Sequence, residues 1–294
     1  IIDLFNTRDE RPFFLNLSYY QVHTPLQAKE EKIRKYESKA KALGLNEVLT
    51  FSEDEFFPCD HKKTHRVKRR LVQSDPVYAG MIESLDESVG RILDYLDEHG
   101  IADDTLIFFT SDNGGLATSE GSPTCNAPLA EGKGWMYEGG TREPLMVRWP
   151  GQIEAGSICS VPVTSPDFYP TLLEMAGLDP IPQQHCDGVS IAPLLHGKSS
   201  MEREAIFWHY PHYGNQGGTP GSSVRCGDYK LIEFFEEGQV ELYNLREDIG
   251  EDRDLSQSKP ETRARLHALL VEWRRSVEAK IPQPNPQWQQ RDDR

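Results

Sequence analysis

The 294 residues carry 32 Lys and Arg against 47 Asp and Glu, and the resulting net charge of −15 disfavours unspecific attachment to DNA or to an anionic membrane. A hydrophobic fraction of 37% with long apolar runs excludes a disordered chain, and the length holds one large α/β domain with or without a small appendage. The five cysteines, Cys59, Cys125, Cys159, Cys186 and Cys226, are widely spaced without a C-x-x-C pair, so they spell neither a zinc site nor a disulfide framework.

The chain opens on Ile1-Ile2-Asp3-Leu4-Phe5, read as the tail of an amphipathic helix, with no signal peptide, so the natural N-terminus is expected upstream. Phe13 to Tyr19, FFLNLSY, reads as a buried strand that runs into Gln21-Val22-His23-Thr24-Pro25. Residues 26 to 75 are charged and are expected as surface helices and a loop. Within them HKKTHRVKRR, His61 to Arg70, holds six Lys or Arg and no acid. It reads first as a solvated helix face and second as a contact for a polyanion such as a sulfated glycan. His61 and His65 have the spacing of a zinc helix but no Glu between them, so they read as surface.

Ser74-Asp75-Pro76 predicts a helix start, and Ile82, Leu85, Val89, Ile92, Leu93 and Leu96 continue it to a stop at Gly100. Thr105 to Thr110 then reads as a strand buried on both faces of a parallel sheet, reached by a long crossover. Pro144 to Trp149 offers another strand, and Ser165-Pro166 begins a helix through Leu173 that Gly177 closes. From Met201 the texture changes. Ala205 to His209, Ser223 to Arg225, Tyr229 to Phe235 and Val240 to Tyr243 suggest a small antiparallel sheet, followed by a helix from Pro260 with Leu266, Leu269, Leu270 and Trp273. The expected division is therefore 1–200 as an α/β portion, 201–281 as a small sheet with a helix, and 282–294 as a loose tail. No apolar run reaches the length of a membrane span.

The chemistry concentrates after the Thr105 strand. Ser111-Asp112-Asn113-Gly114-Gly115 sets a carboxylate and an amide oxygen at a strand end, where open α/β sheets bind ligands. Asp and Asn offer the hard oxygens that Ca²⁺ or Mg²⁺ takes. Asp112-Asn113-Gly114 also reads as an ordinary βα turn, because Asn and Asp bond their own backbone. Gly132-Lys133-Gly134 follows, a cation between two flexible residues, suited to an anionic ester. His23 lies at the mouth of the other strand. His209 and His212, with the glycines from Gly214 to Gly221, read as a mobile loop that faces the crevice or merely the surface.

FFLNLSYYQVHTP, VYAGMIESLDESVGRILDYLDEHGIADDTLIFFTSDNGG, GKGWMYEGGTREPLMVRWPG and ELYNLREDIGE resemble the latter part of a type I sulfatase, the arylsulfatase-like branch of the alkaline phosphatase superfamily. The resemblance runs through nearly the whole chain. It implies an α/β fold with a mixed, mostly parallel sheet flanked by helices and a small C-terminal α+β subdomain. It also implies that Asp112 and Asn113 are two late ligands of a divalent ion, usually Ca²⁺ with Mg²⁺ as the second candidate. Lys133 would hold the substrate sulfate and neutralise its bridging oxygen, and His23 would contact the ester and give the leaving group its proton. His209 and His212 are further candidates for substrate contact. Glu138 to Pro144 resembles the family's structural turn, with Arg142 in a supporting role.

One departure accompanies the match. The family's nucleophile is a formylglycine made from Cys or Ser in C/S-x-P-x-R, and no such motif occurs here. A missing N-terminal half of the same protein accounts for this gap, and the polypeptide alone is expected to be inactive. The implied function is hydrolysis of a carbohydrate or aryl sulfate ester, in the periplasm, outside the cell or in a lysosome. A phosphate or phosphonate ester hydrolase of the same superfamily and a non-catalytic binder of sulfated glycans remain as alternatives.

Overall fold

The computed structural model describes residues 11–53, 55–59, 62–236 and 238–286. The readings at Ile1 to Phe5, at His61 and at the last eight residues of the tail lie outside these. In chain order the elements are α1 (Glu30–Ala42), β1 (Phe51–Ser52), β2 (Arg69–Arg70), α2 (Pro76–Glu98), β3 (Ile107–Thr110), α3 (Glu138–Thr141) and β4 (Leu145–Arg148). After them come α4 (Phe168–Met175), α5 (Ala192–Leu195), β5 (Ile206–Tyr210), β6 (Gly221–Cys226), β7 (Tyr229–Phe234), β8 (Val240–Asn244) and α6 (Pro260–Ser276). They fall into two compact units. The first draws on Ile1–Thr50, Val72–Asp112 and Glu143–Arg203, the second on Phe51–Leu71, Asn113–Arg142 and Glu204–Arg294.

In the first unit α2 begins where the sequence places it. The Asp75 carboxylate accepts from the amides of Val77 and Tyr78 at 2.9 Å, and Pro76 occupies the first turn, where its missing N–H costs nothing. Gly100 ends the helix at φ +66°. The helix buries Gly80, Met81, Tyr95 and Leu96 rather than the whole predicted stripe, and Ile82 stays 43% exposed. At Gly80 the helix leaves room for α1 and the residues just before it: a β-carbon there would stand 3.0 Å from that of Ala28 and 3.2 Å from that of Lys32. Lys32 then bonds Ser84 and pairs with Glu87 at 2.6 Å.

Two expectations are corrected here. Phe13 to Tyr19 shows the alternation of a strand, with Leu15, Leu17 and Tyr19 half-buried and Asn16 and Ser18 exposed, but it joins no ladder among the described residues and Phe14 is 79% exposed. Alternation encodes a covered face and leaves the partner unspecified. The Thr105 strand exists as β3, half-buried, and its described pairing is antiparallel with β4, Ile107 opposite Arg148 and Thr110 opposite Leu145. A long connection leaves strand direction open, and mixed sheets commonly carry such a pair.

The second unit is built on the sheet β5-β6-β7-β8, antiparallel throughout, as the short strand candidates predict. Val224, Leu231 and Leu242 from its strands pack against Leu266 and Leu270 of α6, all five fully buried, with Trp273 stacked on Phe207 at 4.8 Å. The described part of the basic run, Lys62 to Arg70, does not form one helix face. Arg69 and Arg70 form β2 against β1, and Val67 is buried. Four of its cations find partners within the chain: Arg66 lies over Phe56, Lys68 and Arg70 over Phe51, and Arg69 binds Glu131. An alternation of cations and phenylalanines across a hairpin satisfies the charges by ring contact, which charge counting along one strand misses.

Candidate functional site

In the first unit, β3 carries the chain to Thr110, whose hydroxyl donates to the carbonyl of Pro144 at 2.9 Å. That bond holds the exit of β3 beside the entry of β4. Ser111 and the exposed Asp112 follow the strand end. Glu143, which the sequence reading left inside a structural turn, has a buried carboxylate oxygen, Oε1, without a hydrogen-bond partner. Burial pushes its carboxyl up to about 7, and the Asp112 charge adds to the effect. A buried carboxyl raised in part by a neighbouring carboxylate fits a divalent cation chemically, because a positive ion would relieve the repulsion. Among the described residues no three His, Cys, Asp or Glu side chains gather as a metal cluster.

His23 is also in the first unit, exposed in a turn closed by its amide to the Tyr20 carbonyl at 2.9 Å. Its Nδ1 lies 2.8 Å from the Thr24 carbonyl oxygen, so Nδ1 carries the proton and Nε2 is left as the basic nitrogen.

The second unit contains Asn113 and Lys133, and it brings their loops together through glycine. The Lys133 amide donates to the Gly115 carbonyl at 3.1 Å. Asn126 closes the same junction, accepting from the Gly115 amide at 3.0 Å and donating to the carbonyls of Gly115 and Glu131. A β-carbon on Gly132 would meet the Gly115 carbonyl oxygen at 2.3 Å, and one on Gly115 would meet Thr124 at 2.4 Å. At Gly132 backbone therefore touches backbone, while at Gly115 the Thr124 side chain takes up the space, and glycine fits both positions.

The glycine-rich stretch after His212 proves to be no loose loop. Gly214, Gly217 and Gly218 are buried, and a β-carbon on Gly218 would stand 1.8 Å from the Gly134 carbonyl oxygen. The indole of Trp135 donates to Thr118 at 3.0 Å and to the Gln216 carbonyl at 3.1 Å. Lys133 thus sits on a segment gripped from two sides, by the Gly114-Gly115 turn and by 214–218. Thr118, Asn126, Trp135 and Gln216 escaped the sequence reading. The available signal was the glycine density in 214–218, which marks close backbone approach as readily as mobility.

His209 and His212 are placed differently from one another. His209 on β5 donates from Nε2 to the Lys280 carbonyl at 2.9 Å, and its Nδ1 faces the Ser222 hydroxyl at 2.7 Å, so both nitrogens tie the sheet to the segment after α6. His212 is exposed, its ring edge-on to Tyr210 at 5.3 Å.

Beneath the glycine loops lies a buried ionic cluster. Lys230 on β7 has no exposed side-chain surface and pairs with Glu138 and Glu251, each at 3.0 Å. Burial raises Glu138, but Lys230, Arg225 and Arg142 outweigh it and leave the carboxyl below its ordinary range. Burial dominates at Glu251 and pushes it up to about 7. The Glu138 turn is therefore structural, as the resemblance implies, with Arg142 at 3.4 Å from the Glu138 carboxylate.

A family model described as Sulfatase matches residues 1–178, and one described as N-sulphoglucosamine sulphohydrolase, C-terminal, matches 131–276. The chain belongs to the sulfatase family. This sulfatase-family chain is 33% identical to a protein named Sulfatase from Formosa agariphila over 95% of its own length and 51% of that protein's. It is 34% identical to the N-acetylglucosamine-6-O-sulfatase of Bacteroides thetaiotaomicron over 58% of its length and 30% of the relative's. The solved structure of Ps i-CgsB in complex with k-i-k-neocarrahexaose superposes with a TM-score of 0.72 at 28% identity, covering 92% of this chain and 52% of that one. The mixed α/β, alkaline phosphatase-like fold is thereby established. The chain spans about half, or less, of the length of these relatives.

Proposed function

We propose that the protein to which this chain belongs hydrolyses a sulfate ester of a carbohydrate, and that this chain supplies the metal and leaving-group side of the site. The observation that carries the reading is the junction of the Asn113 turn with the Gly132-Lys133-Gly134 loop, in a chain of the sulfatase family. The names of the Bacteroides relative and of the neocarrahexaose complex support a carbohydrate ester.

In this reading Lys133 offsets negative charge on the ester oxygens, in a loop whose backbone cannot retreat. His23, with Nδ1 held by Thr24 and a second proton on Nε2, gives the Nε2 proton to the departing alcohol as the sulfur–oxygen bond breaks. Asp112 and Asn113 would hold Ca²⁺, or Mg²⁺ as the alternative. The bound ion would contribute positive charge beside the sulfate. The nucleophile is a formylglycine on a C/S-x-P-x-R segment supplied from outside these 294 residues, and the reading places the complete protein in the periplasm, the extracellular space or a lysosome. His212 is the second-rank candidate for sugar contact, and His209 contributes through the bonds that hold β5.

The test is release of sulfate by the complete protein from a panel of sulfated oligosaccharides, beside matched phosphate esters. Sulfate release, lowered about 100-fold or more by Lys133→Ala and by Asp112→Asn, is expected. Preferential phosphate release would move the protein to the phosphohydrolases, and binding of the oligosaccharides without turnover would leave a glycan-binding protein.

A further inference from the structure

We infer that Lys230 is a positioning residue for Asn113 and Lys133, acting through the Glu138 turn. This rests on the site proposed above and deepens it. Lys230 lies on β7, an inner strand of the sheet, and is fully buried, although a lysine so placed needs partners for its charge. Its ammonium joins Glu138 and Glu251, and lies 3.5 Å from the Thr141 hydroxyl. The Glu251 carboxylate also accepts from the Glu138 amide at 2.6 Å, so the side chain and the backbone of one residue are fixed together.

From Glu138 the constraint passes through backbone alone. The Gly139 amide donates to the Ala130 carbonyl at 2.7 Å, at the entrance of the Lys133 loop. The Gly140 carbonyl accepts from the Gly114 amide at 3.3 Å, immediately after Asn113. A β-carbon on Gly140 would lie 2.3 Å from the Trp135 carbonyl oxygen and 2.5 Å from that of Gly132. One short turn thus touches both loops, and a single buried cation sets where that turn lies. Burying an ammonium between two carboxyl groups contributes little net stability, because desolvation offsets the attraction. Its use is to select one arrangement.

The test is amide hydrogen exchange, read by NMR on the full 294-residue chain, in Lys230→Met. Exchange at Gly114, Lys133 and Gly139 is expected to accelerate about tenfold or more, while Leu266 and Leu270 in α6 and Phe207 in β5 keep their rates. If Lys230→Met does not fold, Lys230→Met with Glu251→Gln removes the stranded carboxylate and leaves Glu138 to Arg142 and Arg225, which lie 3.4 and 3.6 Å away. The same three amides are read in it. Unchanged exchange at them, equal acceleration throughout the unit, or failure of both variants to fold overturns the proposal. Exchange needs no turnover, so this result stands or falls separately from the sulfatase reading.

Discussion

The amide of Gly114 donates to the carbonyl of Gly140 across 3.3 Å, and a β-carbon on Gly114 would stand 1.7 Å from the Gly139 carbonyl oxygen. Two motifs far apart in the sequence therefore meet with no room for a side chain. Gly114→Ala is expected to lower the denaturant midpoint by an equivalent of at least ~3 kcal/mol, the upper range of overpacking, because the obstacle is backbone that cannot rotate aside. A variant with the parent's midpoint would show that the contact yields freely.

The core of the second unit makes a simpler prediction. Leu270 is fully buried in a cluster with Val224, Leu231, Leu242 and Leu266. Leu270→Ala should cost ~2–5 kcal/mol, from lost transfer free energy and a residual cavity. Chemical unfolding would report it as a lower midpoint with an unaltered slope. A loss below about 1 kcal/mol would mean that α6 collapses onto the vacated space.

In the first unit Asp167 is fully buried and accepts from the amides of Thr164 at 2.7 Å and Val189 at 2.9 Å, with Arg203 bound to both carboxylate oxygens. Arg203→Met strands that carboxylate. The expected cost is ~3–5 kcal/mol, the range for breaking a buried pair from one side. Arg203→Met together with Asp167→Asn should recover part of it. A single variant as stable as the parent would place the anchoring in the two amides alone.

Glu251 carries a pH dependence. Its carboxyl titrates near 7 in the folded chain, above the ordinary 4.5, because burial outweighs Lys230. The folded state thus favours the protonated acid. Stability from this group is complete below about 4.5 and declines as pH rises through 7, by up to ~3 kcal/mol. Glu251→Gln removes that decline. The stability gap between variant and parent should shift toward the variant between pH 5 and pH 8, and a shift toward the parent would reverse the assignment.

Much of this architecture is legible along the chain because the information is local. Asp75 and Pro76 carry a cap and a first turn whatever surrounds them, and the strand candidates from Ala205 to Tyr243 recur as β5 to β8 because their turns and alternation are written in neighbouring residues. Asp112, Asn113 and Lys133 stand out for the same reason, as chemically distinctive side chains among glycines.

What the sequence by itself determined was therefore element type, the candidate groups and the family they resemble. Tertiary structure alone decided who meets whom: that β3 pairs antiparallel with β4, that the basic run covers phenylalanines, that 214–218 grips Trp135, and that Lys230 lies under the Glu138 turn. The physical reason is that a pattern of polarity specifies how much of a residue is covered. Pairing partners, close glycine contacts and buried charges depend on residues distant in the chain, whose arrival no local periodicity records.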